Sequence, residues 1–187
     1  MRGFALGTAV LALAWSVAAQ GVEVGGVSLA DKASVGGQEL VLNGAGVRTR
    51  AIFKVYVASL YVPAKATTPA GVLAKGPRRI QMNLLRTLSA DQLVDALVDG
   101  LKDNNTEAEI AAVKAQQDQM VATMKGFGEV KEKDVVSLDY ANGSTTILLN
   151  GAAKATIPGD AFNAALTKVW LGEKPVQADL KKALLGG

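Results

Sequence analysis

The chain has 187 residues, and its 20 Lys and Arg nearly balance 17 Asp and Glu, a formal net charge of +3. This balance lacks the basic excess of a nucleic-acid-binding protein. Cysteine and histidine are absent, which excludes disulfides, the usual zinc, copper and iron sites, and nucleophiles activated by an imidazole. We expect no metal and no cofactor, and any chemistry must use Arg, Lys, hydroxyl, amide or carboxylate groups.

The first 19 residues have the pattern of a secretory signal peptide. One early cation precedes a short apolar run from Phe4 to Ala19, which ends in small residues. The run is too short for a comfortable membrane span, and an uncleaved N-terminal anchor is the alternative interpretation. We predict a signal peptide over residues 1–19, one domain over residues 20–187, a periplasmic or secreted location, and no stable membrane insertion after cleavage.

Short strands broken by glycine pairs are predicted from Val22 onward, followed by a turn at Asn43-Gly44. The next stretch, to Val62, alternates like one long half-buried strand. Four polar side chains interrupt its apolar pattern: Arg48, Arg50, Lys54 and Tyr56. Arg50 and Lys54 are expected to extend into solvent from the solvent-facing side of the sheet.

Two capping boxes predict helices in the middle of the chain. Ser89 with Gln92 begins the first helix, and Thr106 with Glu109 begins a second, which we expect to run unbroken to Gly126.

Asn-Gly pairs then divide the following segment into three strands, because both positions of a type I′ turn need positive φ. The turns are Asn142-Gly143 and Asn150-Gly151, and helices from Asp160 to Trp170 and from Gln177 to Leu185 complete the chain. Strands and helices do not alternate as in βαβ units. The predicted class is therefore α+β, with a mainly antiparallel sheet packed against a helical layer.

The order of these elements, together with three short motifs, resembles chalcone isomerase and its non-catalytic relatives. The motifs are Gly46-Val47-Arg48, Lys54-Val55-Tyr56 and Leu60-Tyr61-Val62. The resemblance implies an open-faced sandwich with an apolar cleft between sheet and helices. Within the family, some members cyclise chalcones and others bind fatty acids through arginine and tyrosine.

The resemblance places Arg48 at the position of the family arginine and Tyr56 at the position of the catalytic threonine. Leu93 and Gly100 fall at the positions of the catalytic tyrosine and asparagine, and Val169 at that of a serine or threonine. Four of the five polar contacts of the enzymes are thus replaced. This pattern matches the fatty-acid-binding branch better than the enzymes, and no catalytic residue is assigned.

Arg48 and Tyr56 are the predicted ligand-binding residues. A guanidinium beside an apolar cleft suits a carboxylate or an enolate, and the small residues before Arg48 are interpreted as allowing a close approach to a ligand. On one straight strand, however, about 26 Å would separate the two side chains. Both reach one head group only if the chain bends or forms a hairpin around residues 49–53.

The leading hypothesis is therefore an exported, non-catalytic protein that binds a fatty acid or a similar amphipathic carboxylate in the cleft. One alternative is a weak isomerase, an intramolecular lyase acting on a chalcone-like enone, with Arg48 as the electrophilic group and Tyr56 as the proton donor. The second alternative is an envelope protein-interaction module. The expected partner is a small amphipathic ligand, fatty acid or phenolic, and the sequence leaves the oligomeric state open.

Overall fold

The structure is a computed structural model that describes residues 21–74 and 76–187. The predicted signal peptide lies outside the described residues. No helix within the described ranges is long and apolar enough to cross a membrane.

The described ranges contain eleven strands and six helices. The strands are β1 (Val22–Val24), β2 (Val27–Leu29), β3 (Lys32–Val35), β4 (Gln38–Arg50), β5 (Phe53–Val62), β6 (Arg78–Leu84), β7 (Leu88–Ser89), β8 (Glu129–Val130), β9 (Val135–Ala141), β10 (Ser144–Leu149) and β11 (Ala152–Pro158). The helices are α1 (Pro69–Leu73), α2 (Ala90–Asn104), α3 (Glu107–Ala112), α4 (Lys114–Lys125), α5 (Asp160–Leu171) and α6 (Ala178–Leu184).

Seven of the strands form one antiparallel sheet in the order β11-β10-β9-β6-β5-β4-β3. Helices α2, α3 and α4 lie in sequence between β6 and β9, which are neighbours in the sheet. The predicted α+β class and antiparallel sheet are confirmed.

The main core lies between this sheet and the helices. Its fully buried side chains include Met82 from β6, Met120 from α4, and Phe162 and Trp170 from α5. A smaller core covers the other face of β4 and β5, where Leu29 of the β1–β2 hairpin packs with sheet residues. The sheet is therefore covered on both faces near β4 and β5.

The predicted long strand through residues 43–62 is wrong, because the chain reverses at Ala51-Ile52. Strands β4 and β5 form an antiparallel hairpin, and Arg48 and Tyr56 are directly paired across it. The turn contains no Gly, Pro or Asn, and Ala51 itself takes a positive φ of 52°. The sequence alternative of a hairpin within residues 49–53 is the one that the structure adopts.

Asn43-Gly44 is not the predicted turn but an irregularity inside β4, where the register with β5 shifts between Leu42 and Gly44. The buried Asn43 side chain donates to the carbonyls of Ala66 and Leu184 and accepts from the Ala66 amide. These tertiary contacts hold the chain extended. The Asn-Gly pairs between β9, β10 and β11 do turn, with positive φ at both positions, as predicted.

Both predicted capping boxes are present, at Ser89 before α2 and at Thr106 before α3. The single helix expected after Thr106 is interrupted, because Val113 leaves helical geometry at φ −113° and ψ 14°. This break turns the β-branched side chain inward, where it is buried in the main core. Helices α3 and α4 are the two resulting pieces.

Candidate functional site

Arg48 and Tyr56 lie side by side because they are opposite each other in the β4–β5 register. Directly opposed residues of an antiparallel pair have Cβ atoms about 4.5–5.5 Å apart. A register shift follows between Arg48 and Thr49. The hairpin thus removes the long separation expected for a straight strand.

Tyr56 is buried, with 7% of its surface exposed, and its hydroxyl oxygen accepts a 3.1 Å hydrogen bond from Nε1 of Trp170. Burial raises the pKa of the Tyr56 phenol, and the Trp170 hydrogen bond and the nearby Arg48 guanidinium oppose this shift only in part. The phenol is therefore protonated at neutral pH. Among the described residues its proton is donated to no acceptor, so it is free for a ligand oxygen.

Arg48 is half-buried and is held by its neighbours rather than by a carboxylate. Its Nη1 donates to the carbonyl of Thr49 and, at 3.4 Å, to Oε1 of Gln177. The guanidinium also lies close enough to the Tyr56 hydroxyl to interact with it, and within residues 21–74 and 76–187 Arg48 makes no ion pair. A fixed guanidinium that makes no ion pair can bind an anionic oxygen.

Gln177, the residue before α6, fixes the end of β4. Its Oε1 also accepts from the Thr49 amide at 2.9 Å and the Thr49 hydroxyl at 3.3 Å, and its Nε2 donates to the Val47 carbonyl at 3.3 Å. One side chain therefore holds the backbone on both sides of Arg48. The guanidinium is oriented before any ligand arrives.

Arg48 and Tyr56 border a cavity of about 790 Å³ between the turn end of the β4–β5 hairpin, α2, and the segment that follows α5. This volume is in the range of small-molecule sites, about 300–1,000 Å³. The apolar part of its lining comes from strands and helices of the main core: Val55, Met82, Leu88, Leu93, Leu97 and Val169. The cavity thus combines an apolar wall with the Tyr56 phenol and several charged side chains, of which Arg48 is the one paired with Tyr56.

Charge is divided between the two sides of the cavity mouth. The hairpin carries Arg48 and Arg50, and Arg86 lies beside it. Helix α2 contributes Asp95, Asp99 and Asp103 at helical spacing, with the cation Lys174 near its end. An anionic head group is attracted to the hairpin and repelled by the helix. The electrostatics therefore favour one orientation for a ligand with one charged end.

Three further positions implied by the family resemblance also line this cavity: Leu93, Gly100 and Val169. A Cβ atom at Gly100 would lie 2.7 Å from Cγ1 of Val169, so the two residues fill the space between α2 and α5. The part of the wall where α2 meets α5 is accordingly apolar and closely packed. None of these three residues brings a polar side chain to the cavity.

The interpretation of the small residues before Arg48 is wrong. A Cβ atom at Gly44 would overlap the Ala183 carbonyl oxygen, and one at Gly46 would lie 2.9 Å from Cβ of Ala183. The glycines give room to α6 and not to a ligand. Arg50 and Lys54 are exposed, as predicted, although Arg50 also borders the mouth of the cavity.

Sequence reasoning did not assign Gln177 or Trp170 to the site. A buried indole needs a hydrogen-bond acceptor, and that rule could have indicated a polar partner for Trp170, although not which one. Gln177 carried no comparable signal, because its role depends on a contact 129 residues away in sequence.

Comparison with known proteins agrees with this architecture. A fatty-acid binding protein of Arabidopsis thaliana has the same fold, with a TM-score of 0.65 and 11% identity over 86% of this chain and 92% of that chain. No curated protein matches the sequence. The family model described as chalcone isomerase-like matches residues 21–186, and the chain therefore belongs to the chalcone isomerase-like family.

Proposed function

We propose that this chain is an exported, non-catalytic member of its family that binds a fatty acid or a similar amphipathic carboxylate. The apolar tail lies in the cavity, and the carboxylate accepts hydrogen bonds from Arg48 and Tyr56. The pairing of these two residues at the border of a cavity with an apolar wall carries the proposal. The Arabidopsis protein of the same fold is a fatty-acid binding protein by name.

The tail supplies most of the binding energy in this arrangement. Burial of about 10 methylene groups at about 0.8 kcal/mol each contributes about 8 kcal/mol before the cost of association. A hydrogen bond to a charged group adds about 1.5–3 kcal/mol. Arg48 therefore selects the head group and sets the ligand's direction, while tail length sets the overall affinity.

The non-catalytic part of the proposal rests on the part of the wall where α2 meets α5. Leu93, Gly100 and Val169 line it without a polar side chain. An enolate formed from a chalcone would find Arg48 and Tyr56 but no further hydrogen-bonding group from these positions. Differential stabilisation of the transition state would therefore be small.

Export is supported by the apolar run of residues 4–19, and we place the protein in the periplasm or outside the cell. Cell fractionation of chains with and without residues 1–19 tests this placement. Recovery of both chains from the cytoplasm would contradict it.

The binding proposal is tested by calorimetry with hexadecanoic acid and hexadecanol, two ligands that share a tail and differ in head group. We expect Arg48→Gln to weaken binding of the acid by about 10- to 150-fold and to leave binding of the alcohol unchanged. Lys54→Gln is the matched control, because Lys54 is exposed on the same hairpin and does not line the cavity. It should change neither affinity by more than about twofold.

Equal loss of acid and alcohol binding in Arg48→Gln would show a structural role for Arg48, and unchanged acid binding would overturn the head-group assignment. Native mass spectrometry of the protein from its own host should detect a bound acid. A chalcone cyclisation rate above background that disappears in Arg48→Gln would favour the isomerase instead.

A further inference from the structure

The turn between β4 and β5 exposes two large apolar side chains. Ile52 is 88% exposed and Phe53 is 53% exposed. Among the described residues, Val22 is the only other large hydrophobic residue with comparable exposure. All five residues 50–54, which we term the hairpin tip, are exposed.

Cations surround these apolar side chains. Arg50 and Lys54 flank them within the hairpin tip, and the exposed Arg86 guanidinium lies 4.7 Å from the ring centroid of Phe53. Within residues 21–74 and 76–187, none of the three cations forms an ion pair. They are available to anions from outside the protein.

The adjacent loop extends the basic surface. The Lys133 amide donates to the carbonyl of Leu84 at 2.8 Å, which places the loop of residues 131–133 beside the end of β6. This loop adds two exposed lysines and one exposed glutamate. The α2 acids that line the cavity, Asp95, Asp99 and Asp103, belong to a different element from the hairpin tip.

We propose that the hairpin tip docks on a bilayer that contains anionic phospholipids. Ile52 and Phe53 enter the boundary between head groups and acyl chains, and Arg50, Lys54 and Arg86 bind lipid phosphates. Apolar side chains beside Lys and Arg are the combination that interfacial membrane binding requires. The tip lies on the membrane surface and does not span it.

The geometry favours a lipid surface over a protein partner. A stable protein interface buries about 800 Å² on each side, whereas the tip projects two apolar side chains from a narrow turn. A fluid bilayer closes around such a projection without a complementary groove. The excess of cations gives the complementary charge for phosphatidylglycerol head groups.

Docking would bring the cavity mouth to the lipid surface, because Arg50, Ala51 and Phe53 all border the cavity. This consequence rests on the proposed function, since it gives a fatty acid a short path between bilayer and cavity. The docking itself does not depend on any ligand.

Flotation with phosphatidylglycerol vesicles and with phosphatidylcholine vesicles tests the proposal. We expect the full protein to bind the anionic vesicles, and Ile52→Ser to weaken that binding by at least about tenfold. Val22→Ser removes an exposed apolar side chain outside the hairpin tip and should leave vesicle binding unchanged. Arg50→Gln and Lys54→Gln should each weaken binding by about fivefold, while Lys102→Gln, an exposed cation of α2, should not.

Ile52 does not line the cavity, so Ile52→Ser should retain full affinity for hexadecanoic acid. Loss of vesicle binding with acid binding intact supports docking independently of the ligand proposal. Equal binding of wild type and Ile52→Ser, with both folded by circular dichroism, would overturn it. The proposal would also be overturned if the wild type bound no vesicles but self-associated in sedimentation, and if Ile52→Ser abolished that self-association. A second copy of the chain would then be the partner of the hairpin tip.

Discussion

The indole of Trp170 donates a 3.1 Å hydrogen bond to the hydroxyl of Tyr56, joining α5 to the strand that borders the cavity. The two side chains are both buried. The bond satisfies the indole N–H, and it also fixes the phenol in the cavity wall. One contact therefore serves both the core and the site.

Tyr56→Phe should destabilise the fold by about 1–3 kcal/mol, because it leaves the buried Trp170 N–H without an acceptor. Urea unfolding measures the change. Tyr61→Phe is the matched control: its hydroxyl donates to the carbonyl of Ala30, an exposed residue that can turn to water instead. We expect the control to cost less than about 1 kcal/mol, and equal losses would contradict the role of the indole bond.

Gly100→Ala should destabilise the fold by about 1–3 kcal/mol, because its methyl group would meet the Val169 side chain at 2.7 Å. Val169→Ala alone should cost about 1–3 kcal/mol through the lost side-chain volume. The double variant should be more stable than the sum of the two losses implies, since each change makes room for the other. Strict additivity in a double-mutant cycle would show that the residues are not in contact.

Gly46→Ala should destabilise the fold by about 1–3 kcal/mol, because the new methyl group meets Ala183 and Leu180 of α6. Displacement of α6 should also move Gln177 and weaken acid binding at Arg48. Gly71→Ala, at an exposed position of the short helix α1, is the control and should leave acid binding unchanged. If Gly46→Ala kept the wild-type affinity for the acid, the position of α6 would not influence the orientation of Arg48.

Glu109 should make stability depend on pH in acid. The 2.8 Å hydrogen bond from Lys168 and the bonds from Thr106 lower the pKa of the Glu109 carboxyl from 4.5 to about 2. Because the folded pKa is the lower one, this contribution is present above pH 4.5 and is lost as the pH falls toward 2. In acid titrations of unfolding, Glu109→Gln should be the less stable protein above pH 4.5 and should approach wild type near pH 2.

Glu107→Gln supplies the control for this titration, since Glu107 lies in the same first turn and makes no side-chain hydrogen bond within the described ranges. It should follow the wild-type curve. If the free energy of unfolding of Glu109→Gln stayed parallel to that of wild type at every pH, Glu109 would not be the source of the pH dependence.

Local turn chemistry made much of the fold predictable. The Asn-Gly pairs after β9 and β10 and the capping boxes at Ser89 and Thr106 act through neighbouring backbone groups, so each is visible within a few residues. The antiparallel sheet and its helical layer followed from the order of these elements. The family resemblance added Arg48 and Tyr56, and the structure places both at the cavity.

The errors arose where tertiary contacts override local signals. Ala51 turns with positive φ although alanine gives no turn signal, and Asn43-Gly44 gives a strong turn signal yet remains extended. Hydrogen bonds from Asn43 to distant residues such as Leu184 decide the second case. No window of neighbouring residues contains that information.

The Gln177 contact has a consequence for the order of folding. It joins positions 129 residues apart, and closure of long loops is entropically costly and slow. Strands β4 and β5 can pair as soon as both have left the ribosome, but the guanidinium of Arg48 acquires its orientation only after α6 has been synthesised and docked. A chain that ends before Gln177 would lack the side chain that bonds to Arg48 and Thr49, and its guanidinium would not be oriented in advance.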